Sequence, residues 1–314
     1  MPDLICHGRR WTVPEGSNLL DALNTAGIGV PFSCRAGSCQ ACLVRCLEGE
    51  PLDSRPEALS AVRRAQGWRL ACQCRVISDL QVATFDPARE GIPAEVRSLE
   101  WLAGQVLRVQ LMPERPIRYR AGQHVLLWNA AGVARPYSLA SLPGEDTWLE
   151  FHIDCVHPGA FVDSARGLVV GTRLLLGQLH EGGLRYEPDW QARPLLLLAS
   201  GTGLAPLWAV LREALRQGHE GPIRLVHVSS GDCYLRGPLE ALAAEHDHLD
   251  IDLVNGRESM EVWLRSLRIR SRRDVALVCG GEGFVEATTR RLYLAGLPRG
   301  QILSDTFVSR RHGD

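Results

Sequence analysis

The chain has 314 residues, which is more than one ordinary domain needs and enough for two or three. Hydrophobic residues make up 45% and charged residues 23%, a balance typical of soluble chains that bury large cores. With 35 basic against 36 acidic residues, the chain has no excess charge to attract nucleic acid or an anionic membrane. Its apolar runs are far shorter than the roughly 20 residues that span a bilayer, and its first residues lack the apolar core of a signal peptide. We therefore expect a soluble, cytoplasmic protein.

The first 88 residues predict a small α+β domain. Short apolar runs indicate strands, and a turn-forming His-Gly pair separates the first two of them. Leucines at helical spacing follow a serine that can cap a helix, and a charged segment bracketed by prolines is typical of a linker. The expected elements are two strands at 4–6 and 9–13 around His7-Gly8, a helix from Ser17 to Gly27, a helix over 56–67 and a linker at 86–93.

Residues 94–190 predict a second domain, built from short antiparallel strands. Apolar and polar residues alternate over brief runs, and turn signals such as Ala131-Gly132 and Pro143-Gly144 separate these runs. Many short strands at this spacing favour an antiparallel barrel or sandwich. The strands are expected at 106–111, 124–128, 137–139, 148–153 and 173–176.

Residues 191–314 predict a third domain of alternating strands and helices. The strands are almost continuously apolar, as expected for strands that are buried on both faces. This alternation indicates a doubly wound parallel sheet. The strands are expected at 195–199, 223–228, 251–254 and 275–279, and the helices at 206–216, 238–246, 261–267 and 284–295.

The cysteines of the first domain are too closely spaced for a disulfide framework. Cys34, Cys39 and Cys42 follow the pattern C-x4-C-x2-C, which is the loop spacing of a plant-type 2Fe–2S site. The small residues between them let the loop wrap closely, so that backbone N–H groups can point at sulfur. A fourth thiolate must come from elsewhere, and Cys72 and Cys74 offer two choices. The alternative is a zinc site that uses the two close pairs of cysteines, but it leaves Cys34 unexplained.

This cysteine segment resembles the plant-type ferredoxins. In that family the fourth ligand lies in a Leu-x-Cys segment that precedes a Ser-Asp pair, and Leu70-Ala71-Cys72 followed by Ser78-Asp79 matches that arrangement. The resemblance implies a β-grasp ferredoxin domain, with Cys74 a spare thiol and Cys46 a buried small apolar residue. The implied ligands of the 2Fe–2S cluster are Cys34, Cys39, Cys42 and Cys72.

The segment Arg135-Pro136-Tyr137-Ser138 resembles the flavin-binding signature of the ferredoxin–NADP reductase superfamily. A guanidinium can hold a pyrophosphate through paired hydrogen bonds. A tyrosine ring can stack on the isoalloxazine, and a serine hydroxyl can hydrogen-bond to flavin N5, where hydride arrives. The resemblance implies an antiparallel barrel that binds FAD rather than FMN.

The same superfamily has a helix start that receives the flavin phosphates on its backbone N–H groups. Here the corresponding stretch is 158–164, in which the resemblance implies Gly159 and Ser164 as flavin contacts. Two residues depart from the family. Val162 stands where a hydroxyl is expected, and Asp163 places negative charge near the phosphate.

Glycines at the start of the third domain predict a nucleotide-binding turn. Gly201, Thr202 and Gly203 lie between a strand and a helix, where backbone can approach a pyrophosphate. The following Leu-Ala-Pro makes this turn resemble the nucleotide loop of the same reductase superfamily. In that family a Cys-Gly pair, here Cys279-Gly280, lies beside the nicotinamide. A carboxyl-terminal aromatic residue, here Phe307, covers the flavin until nicotinamide displaces it.

Asp232 bears on the choice of coenzyme. An acidic residue after the second strand of such a sheet accepts a ribose hydroxyl, whereas an arginine there recognises a 2′-phosphate. Asp232 follows the predicted strand, and the next arginine is Arg236. The sequence therefore favours NADH over NADPH.

The three predicted domains cover the whole chain and together resemble the single-chain oxygenase reductases of the benzoate-dioxygenase-reductase type. The resemblance implies hydride transfer from NADH to FAD, and then single electrons passing through the cluster to an aromatic-ring dioxygenase or multicomponent monooxygenase. The docking of that oxygenase component is expected to be transient. The residues closest to the chemistry would be Ser138, Cys279 and Phe307.

Two other functional classes are compatible with the pattern. The chain could reduce a different acceptor, such as a cytochrome P450, a desaturase or a ferric chelate. It could also be a non-catalytic redox sensor, although a sensor would not need an intact hydride path. No motif in the sequence identifies the acceptor or the oligomeric state.

Overall fold

The computed structural model describes residues 1–180 and 182–308. The chain divides into two compact units. The first consists of Met1–Ile92, Leu126–Pro136 and Leu175–Gln178, and the second of Pro93–Val125, Tyr137–Leu174 and Leu179–Asp314. The three-domain division at 1–88, 94–190 and 191–314 stays a prediction, and the last six residues of its third domain lie outside the described residues.

Short strands and helices occupy the first 92 residues. The predicted hairpin at His7-Gly8 is confirmed, because both residues have positive φ, 50° and 73°, as a tight two-residue turn requires. The elements are β1 (Asp3–Cys6), β2 (Arg9–Thr12), β3 (Ser17–Asn18), α1 (Leu19–Thr25), β4 (Leu43–Glu48), β5 (Leu52–Asp53), α2 (Ala61–Ala65), β6 (Trp68–Leu70), β7 (Cys74–Val76), β8 (Leu80–Thr84) and α3 (Pro87–Glu90).

Two details of this region differ from the sequence prediction. Asn18, not Ser17, caps α1, because the Ser17 hydroxyl donates to the carbonyl of Pro14 while Asn18 accepts the N–H of Asp21. The single helix expected over 56–67 is divided, since Ser60 caps a new helix there.

Five of these strands form a mixed sheet in the order β2-β1-β8-β4-β6, in which β1 and β8 are parallel. The strands β3, β7 and β5 form a small second sheet. The leucines of α1 at 19, 20 and 23 are fully buried in the core of this region. A helix packed against a mixed sheet is the β-grasp arrangement that the resemblance implied.

The middle of the chain forms a six-stranded sheet in the order β12-β11-β14-β9-β10-β13. The strand β9 (Ile92–Leu102) was not predicted, because its first two residues fall in the linker expected at 86–93. The strand β10 pairs antiparallel with both β9 and β13, so that Val106 lies opposite Leu102 and Asp154. The elements are β9 (Ile92–Leu102), β10 (Val106–Pro113), β11 (His124–Trp128), β12 (Ala134–Ser138), β13 (Leu149–Asp154), α4 (Ala160–Arg166) and β14 (Arg173–His180).

The carboxyl-terminal part is the predicted doubly wound sheet. Its five strands are all parallel, in the order β17-β16-β15-β18-β19, and apolar clusters cover both faces. The strand order reverses between β15 and β18, and ligands bind such sheets at the carboxyl ends of the strands beside that point. The elements are β15 (Leu195–Ser200), α5 (Leu204–Arg216), β16 (Ile223–Ser229), α6 (Arg236–Glu245), β17 (Leu249–Asn255), α7 (Arg257–Ser266), β18 (Val275–Gly281), α8 (Glu282–Leu294) and β19 (Ile302–Phe307). In the described part of the chain, every helix is too short or too polar to cross a bilayer.

Candidate functional site

The four predicted cluster cysteines come together as two pairs. In the first pair, Cys39 donates its backbone N–H to the Cys34 sulfur at 3.4 Å, and Cys34 donates its own to the Cys39 sulfur at 3.4 Å. In the second, the side chains of Cys42 and Cys72 are hydrogen-bonded to each other. The bond from Cys39 lowers the pKa of Cys34 to about 4, and the bond from Cys42 lowers the pKa of Cys72 to about 7. Each pair therefore contains one sulfur that readily becomes a thiolate.

This pairing fits a two-iron cluster better than a zinc ion. A 2Fe–2S cluster takes four thiolates, two on each iron, and two separate pairs provide that arrangement. A zinc ion needs four donors around one point. Over residues 1–180 and 182–308, no group of three or more His, Cys, Asp or Glu side chains is gathered as such a site requires.

The loop around the cysteines is held by two side chains that sequence reasoning missed. Gln73 donates to the carbonyl of Arg35 at 2.7 Å and to the Cys72 sulfur at 3.2 Å. Arg55 donates to the carbonyl of Ala36 at 2.8 Å. The position of Gln73 directly after a predicted ligand was the available signal for it. Arg55 had no local signal, because it comes from a separate segment of chain.

The remaining cysteines of this region stand apart from the two pairs. Cys74 is fully buried in the hydrophobic core, where burial raises its pKa. Cys46 is half-buried rather than buried as expected, and its pKa is raised to about 11, chiefly by burial. The proposed ligand set consists of the four cysteines of the two hydrogen-bonded pairs, and the reading of Cys74 as a spare thiol stays a prediction.

The cluster loop also takes part in a small apolar cluster within the first unit, which we call the Trp128 cluster. It consists of Ala41, Leu126, Trp128 and Ala134, with Cys39, Phe85 and Leu175 at its edge. Trp128 is buried and stacks against Phe85, with ring centroids 6.2 Å apart. A Cβ at Gly177 would lie 2.7 Å from the indole nitrogen, so the absence of a side chain there makes room for the ring. Ala134 directly precedes the predicted flavin signature on β12.

The flavin signature lies along β12. Ser138 is buried, while Arg135, Pro136 and Tyr137 are partly exposed. The Tyr137 ring contacts Phe161 of α4, with centroids 5.1 Å apart and planes inclined by 46°. Ser138 is therefore packed in the core, while the larger side chains of the motif remain accessible. Side chains that contact a flavin must be accessible in this way.

The predicted phosphate helix is α4, which begins after Gly159. Asp163 is paired with Arg166 at 3.0 Å, so the arginine offsets the negative charge that departs from the family pattern. Ser164 is exposed but lies beyond the first turn of the helix, and Val162 is partly buried. Whether Gly159 and Ser164 contact the flavin stays a prediction.

The predicted nucleotide turn packs directly against the end of β18. A Cβ at Gly203 would overlap the carbonyl of Cys279, and one at Gly280 would overlap the hydroxyl of Ser200. Ser200 also accepts the N–H of Gly281 at 3.2 Å. Only glycine fits at these two positions, so the packing of these two segments against each other requires a glycine in each of them. Thr202 lies between the turn's glycines in the same short helical turn.

Cys279, Asp305 and Phe307 lie at the carboxyl ends of neighbouring strands. Cys279 is fully buried and pairs in register with Asp305, and Gly281 pairs with Phe307. Burial raises the pKa of Cys279 far above its usual value, and the nearby Asp305 adds to this. Burial also raises the pKa of Asp305 to about 7, although its carboxylate accepts the N–H of Gly183 at 2.8 Å. The coenzyme candidate Asp232 is exposed after β16.

Comparisons with known proteins show the family of the chain. Residues 5–76 match the 2Fe-2S iron-sulfur cluster binding domain family. The chain is 36% identical over 253 residues to the reductase subunit of an aromatic O-demethylase from Amycolatopsis, which covers 76% of each chain. It is 30% identical over 312 residues to the ferredoxin–NAD(P)+ reductase component of a naphthalene 1,2-dioxygenase system from Pseudomonas putida, covering 93% of this chain and 94% of that one. The chain belongs to the ferredoxin–NAD(P)+ reductase components of oxygenase systems.

Solved structures support the same family. The reductase superimposes on a cytochrome P450 reductase from Amycolatopsis with a TM-score of 0.68 and 28% identity, over 98% of this chain and 99% of that one. It superimposes on the ferredoxin reductase of carbazole 1,9a-dioxygenase with a TM-score of 0.65 and 25% identity, over 98% of both chains. The predicted fold class is confirmed, and so are the predicted cofactors and function. The protein is an oxidoreductase that carries a 2Fe–2S cluster and FAD, takes electrons from NAD(P)H and supplies them to an oxygenase component.

Proposed function

We propose that this reductase uses NADH as its electron donor and delivers single electrons to an aromatic-ring dioxygenase or multicomponent monooxygenase. The observation that carries the proposal is the Trp128 cluster, in which Ala41, between two cluster ligands, packs against residues just before the flavin signature. Within the first unit, this packing joins the cluster loop to the strand that leads into the flavin signature. Covalent linkage in one chain also keeps their effective concentration high.

The residues of β12 hold and orient the flavin in this proposal. When bound, FAD supplies the conversion of a two-electron hydride donor into two one-electron transfers. The guanidinium of Arg135 pairs with its pyrophosphate, and Pro136 keeps the strand extended before the ring of Tyr137 packs on the isoalloxazine. The buried hydroxyl of Ser138 donates to N5, and Gly159 and Ser164 of the helix region receive the phosphates.

Cys34, Cys39, Cys42 and Cys72 would hold the cluster, each hydrogen-bonded pair supplying two of its four thiolates. The hydrogen bonds of the loop amides and of Gln73 to these sulfurs favour the thiolate and stabilise added negative charge.

The nucleotide turn and the strand ends around it hold the coenzyme. The backbone of Gly201, Thr202 and Gly203 receives the pyrophosphate at the start of α5. Cys279 and Gly280, which are both buried at the end of β18, would pack beneath the nicotinamide. Phe307 ends β19, which is two strands away in the sheet from β15, the strand that leads into the turn. Its ring would cover the flavin until nicotinamide arrives.

The preference for NADH rests on Asp232, whose exposed carboxylate can accept the ribose hydroxyls. Asp232→Asn should lower kcat/KM for NADH about tenfold, because a hydrogen bond to a charged acceptor is weakened, and should leave kcat/KM for NADPH equal or higher. The matched control is Asp247→Asn, which changes another exposed carboxylate and should alter neither value. A wild-type enzyme that turns over NADPH faster than NADH would refute the preference.

An anaerobic titration tests the electron path. The visible spectrum of the purified protein should show flavin and iron–sulfur absorption, and both should bleach stepwise with NADH. Rapid reduction of cytochrome c or ferricyanide should follow. A protein that binds the cluster but is not reduced by NADH would contradict the proposal and favour a non-catalytic redox sensor.

A cytochrome P450 is the second candidate acceptor. A solved relative that covers the whole chain is titled a cytochrome P450 reductase, and it is as similar as the dioxygenase reductases. Competition between purified P450 and dioxygenase components for NADH-derived electrons distinguishes the two acceptors. We further propose the domain boundaries 1–88, 94–190 and 191–314 and a cytoplasmic location, where NADH is available and thiols remain reduced.

A further inference from the structure

A line of buried polar side chains in the second unit has no part in the hydride or electron path described above. His152 of β13 is buried, and its Nε2 lies 2.9 Å from the Glu150 carboxylate. Its Nδ1 lies 3.1 Å from the hydroxyl of Tyr234. A buried polar group without a partner is costly, and here each group has one.

The direction of these hydrogen bonds follows from chemistry. Burial alone would raise the pKa of Glu150, but the bonds from His152 and Gln110 outweigh it and hold the pKa below its usual value. Glu150 is therefore a carboxylate that can only accept, so His152 donates from Nε2. The other ring nitrogen, Nδ1, is hydrogen-bonded to the hydroxyl of Tyr234.

The line continues from Tyr234 to the nucleotide turn. The Tyr234 ring meets His227 edge-on, with centroids 5.9 Å apart and planes inclined by 88°. His227 Nε2 lies 3.0 Å from the carbonyl of Gly201, which can only accept, so the imidazole donates. Burial lowers the pKa of His227, which keeps it neutral with its proton on that nitrogen. His227 thus fixes a backbone group of the turn that receives the pyrophosphate.

Tyr234 also anchors the loop that carries the coenzyme-selecting residue. It lies two residues after Asp232, and Cys233, Tyr234 and Leu235 are all buried in the core beneath the sheet. The exposed Asp232 is therefore tethered on its carboxyl-terminal side by a ring whose only polar atom is bonded to His152. One buried side chain connects to both elements that hold the coenzyme.

We propose that Tyr234, held by His152 and Glu150, is a positioning residue for the nicotinamide coenzyme. It fixes the Asp232 loop directly and the Gly201 turn through His227. The hydrogen bonds of His152 to Glu150 and Tyr234 restrict these buried side chains to one arrangement, which lowers the cost of ordering the neighbouring loop when the coenzyme binds. The inference rests on the proposed assignment of Asp232 and the glycine turn to the coenzyme.

The chain offers a matched control. Tyr186 is buried to the same extent as Tyr234, and its hydroxyl lies 3.1 Å from His219 Nδ1, the same distance as in the Tyr234–His152 pair. The control pair lies at the amino end of the parallel sheet, since Tyr186 precedes β15 and His219 precedes β16. The coenzyme turn lies at the carboxyl end. Loss of the Tyr186 hydroxyl should therefore affect stability without affecting coenzyme binding.

The experiment compares Tyr234→Phe with Tyr186→Phe in the full-length holoenzyme. We expect Tyr234→Phe to weaken NAD+ binding to the oxidised enzyme, measured by calorimetry, about threefold to tenfold. The KM for NADH should rise in parallel while kcat with ferricyanide stays within about twofold. Tyr186→Phe should leave the Kd and KM unchanged, and both variants should lower Tm to a similar extent. Equal Kd values in the two variants would overturn the proposal and leave Tyr234 with a structural role only.

A second pair of variants tests the contact with the turn and remains informative if Tyr234→Phe folds poorly. His227→Gln keeps a donor near the position of Nε2 and should bind NAD+ nearly as the wild type does, whereas His227→Leu should lose affinity. Equal affinities for these two variants would argue against positioning through His227. Failure of the proposed function is separately visible, because the wild-type enzyme would then not bind NAD+ or be reduced by NADH.

Discussion

In the cluster loop, Cys34, Cys39 and Cys42 lie on one short stretch of chain, and the sulfurs of Cys34 and Cys39 accept hydrogen bonds from amides of the same stretch. In the nucleotide site, Gly203, Cys279 and Asp305 follow or end three different strands and meet only because the parallel sheet aligns those strands. A cluster ligand set can therefore be recognised from local spacing, whereas the nucleotide site depends on long-range register. Substitutions in the two regions should accordingly have different kinds of effect.

The largest effect is expected at the fourth cluster ligand. Substitutions of Cys72 and Cys74 should there have opposite effects on the cluster. Cys72→Ser should abolish the iron–sulfur spectrum and electron transfer to cytochrome c, while NADH still reduces the flavin, because one iron loses a thiolate. Cys74→Ala should keep the spectrum and cost only about 1 kcal/mol of stability, as expected for a small cavity in the core. Visible and electron paramagnetic resonance spectra measure both. The opposite result would assign the ligand to Cys74.

The nucleotide turn should be sensitive to a single methyl group. Gly203→Ala places a Cβ on the Cys279 carbonyl, and backbone on both sides must shift, at a cost of about 3 kcal/mol and with loss of tight NADH binding. The control is Gly283→Ala in α8, where a Cβ meets nothing within 4 Å and should raise stability by about 0.5–1 kcal/mol. Thermal unfolding and NADH titration report the two quantities. A Gly203→Ala enzyme with wild-type KM would show that the turn is looser than its packing indicates.

Trp128 tests whether packing at the cluster loop matters for electron transfer. Trp128→Ala should cost about 3 kcal/mol and slow the step from flavin to cluster, because the loop loses the buried ring against which it packs. Stopped-flow absorbance separates this step from flavin reduction by NADH, which should be unchanged. Trp101→Ala is the control, since that ring is 55% exposed, and it should change stability by less than about 0.5 kcal/mol. Equal cluster-reduction rates in the two variants would contradict the electron path proposed above.

Asp305 should make the stability of the nucleotide region depend on pH. Burial raises the pKa of this carboxyl from 3.8 to about 7, so the folded chain keeps a proton that the unfolded chain releases. Asp305 therefore contributes nothing to the free energy of unfolding below about pH 4. Its contribution becomes increasingly unfavourable as the pH rises toward 7, and it is constant above that. Asp305→Asn should remove this fall and change the difference in the free energy of unfolding between pH 5 and pH 8 by about 1–3 kcal/mol.

Urea unfolding at the two pH values measures this difference, with the exposed Asp247→Asn as the control. An unchanged pH dependence in Asp305→Asn would mean that water reaches this carboxyl freely in solution.

Much of the fold could be predicted from local patterns. The hairpin at His7-Gly8 and the apolar strands of the parallel sheet follow from turn chemistry and hydrophobic runs, which act over a few residues. The strand β9 was not predicted, because its first two residues fall in the segment assigned to the linker and its register against β10 shifts between Gln110 and Leu111, which interrupts the alternation of buried and exposed residues. The helix start was misplaced by one residue, since the choice between Ser17 and Asn18 depends on where the preceding backbone places a competing carbonyl.

The sequence by itself determined that an iron–sulfur cluster, a flavin and a nicotinamide coenzyme are used, and the order in which their sites occur along the chain. Cysteine spacing, the flavin signature and glycine turns carry that information because each is a contiguous segment whose chemistry is set by its own residues. Only the tertiary structure decided that the cluster cysteines pair as they do and that Cys74 belongs to the core. It also decided that Glu150, His152, Tyr234 and His227 form one line toward the coenzyme turn. These contacts join residues from separate strands, and strand order and register, which set them, are properties of the whole folded sheet.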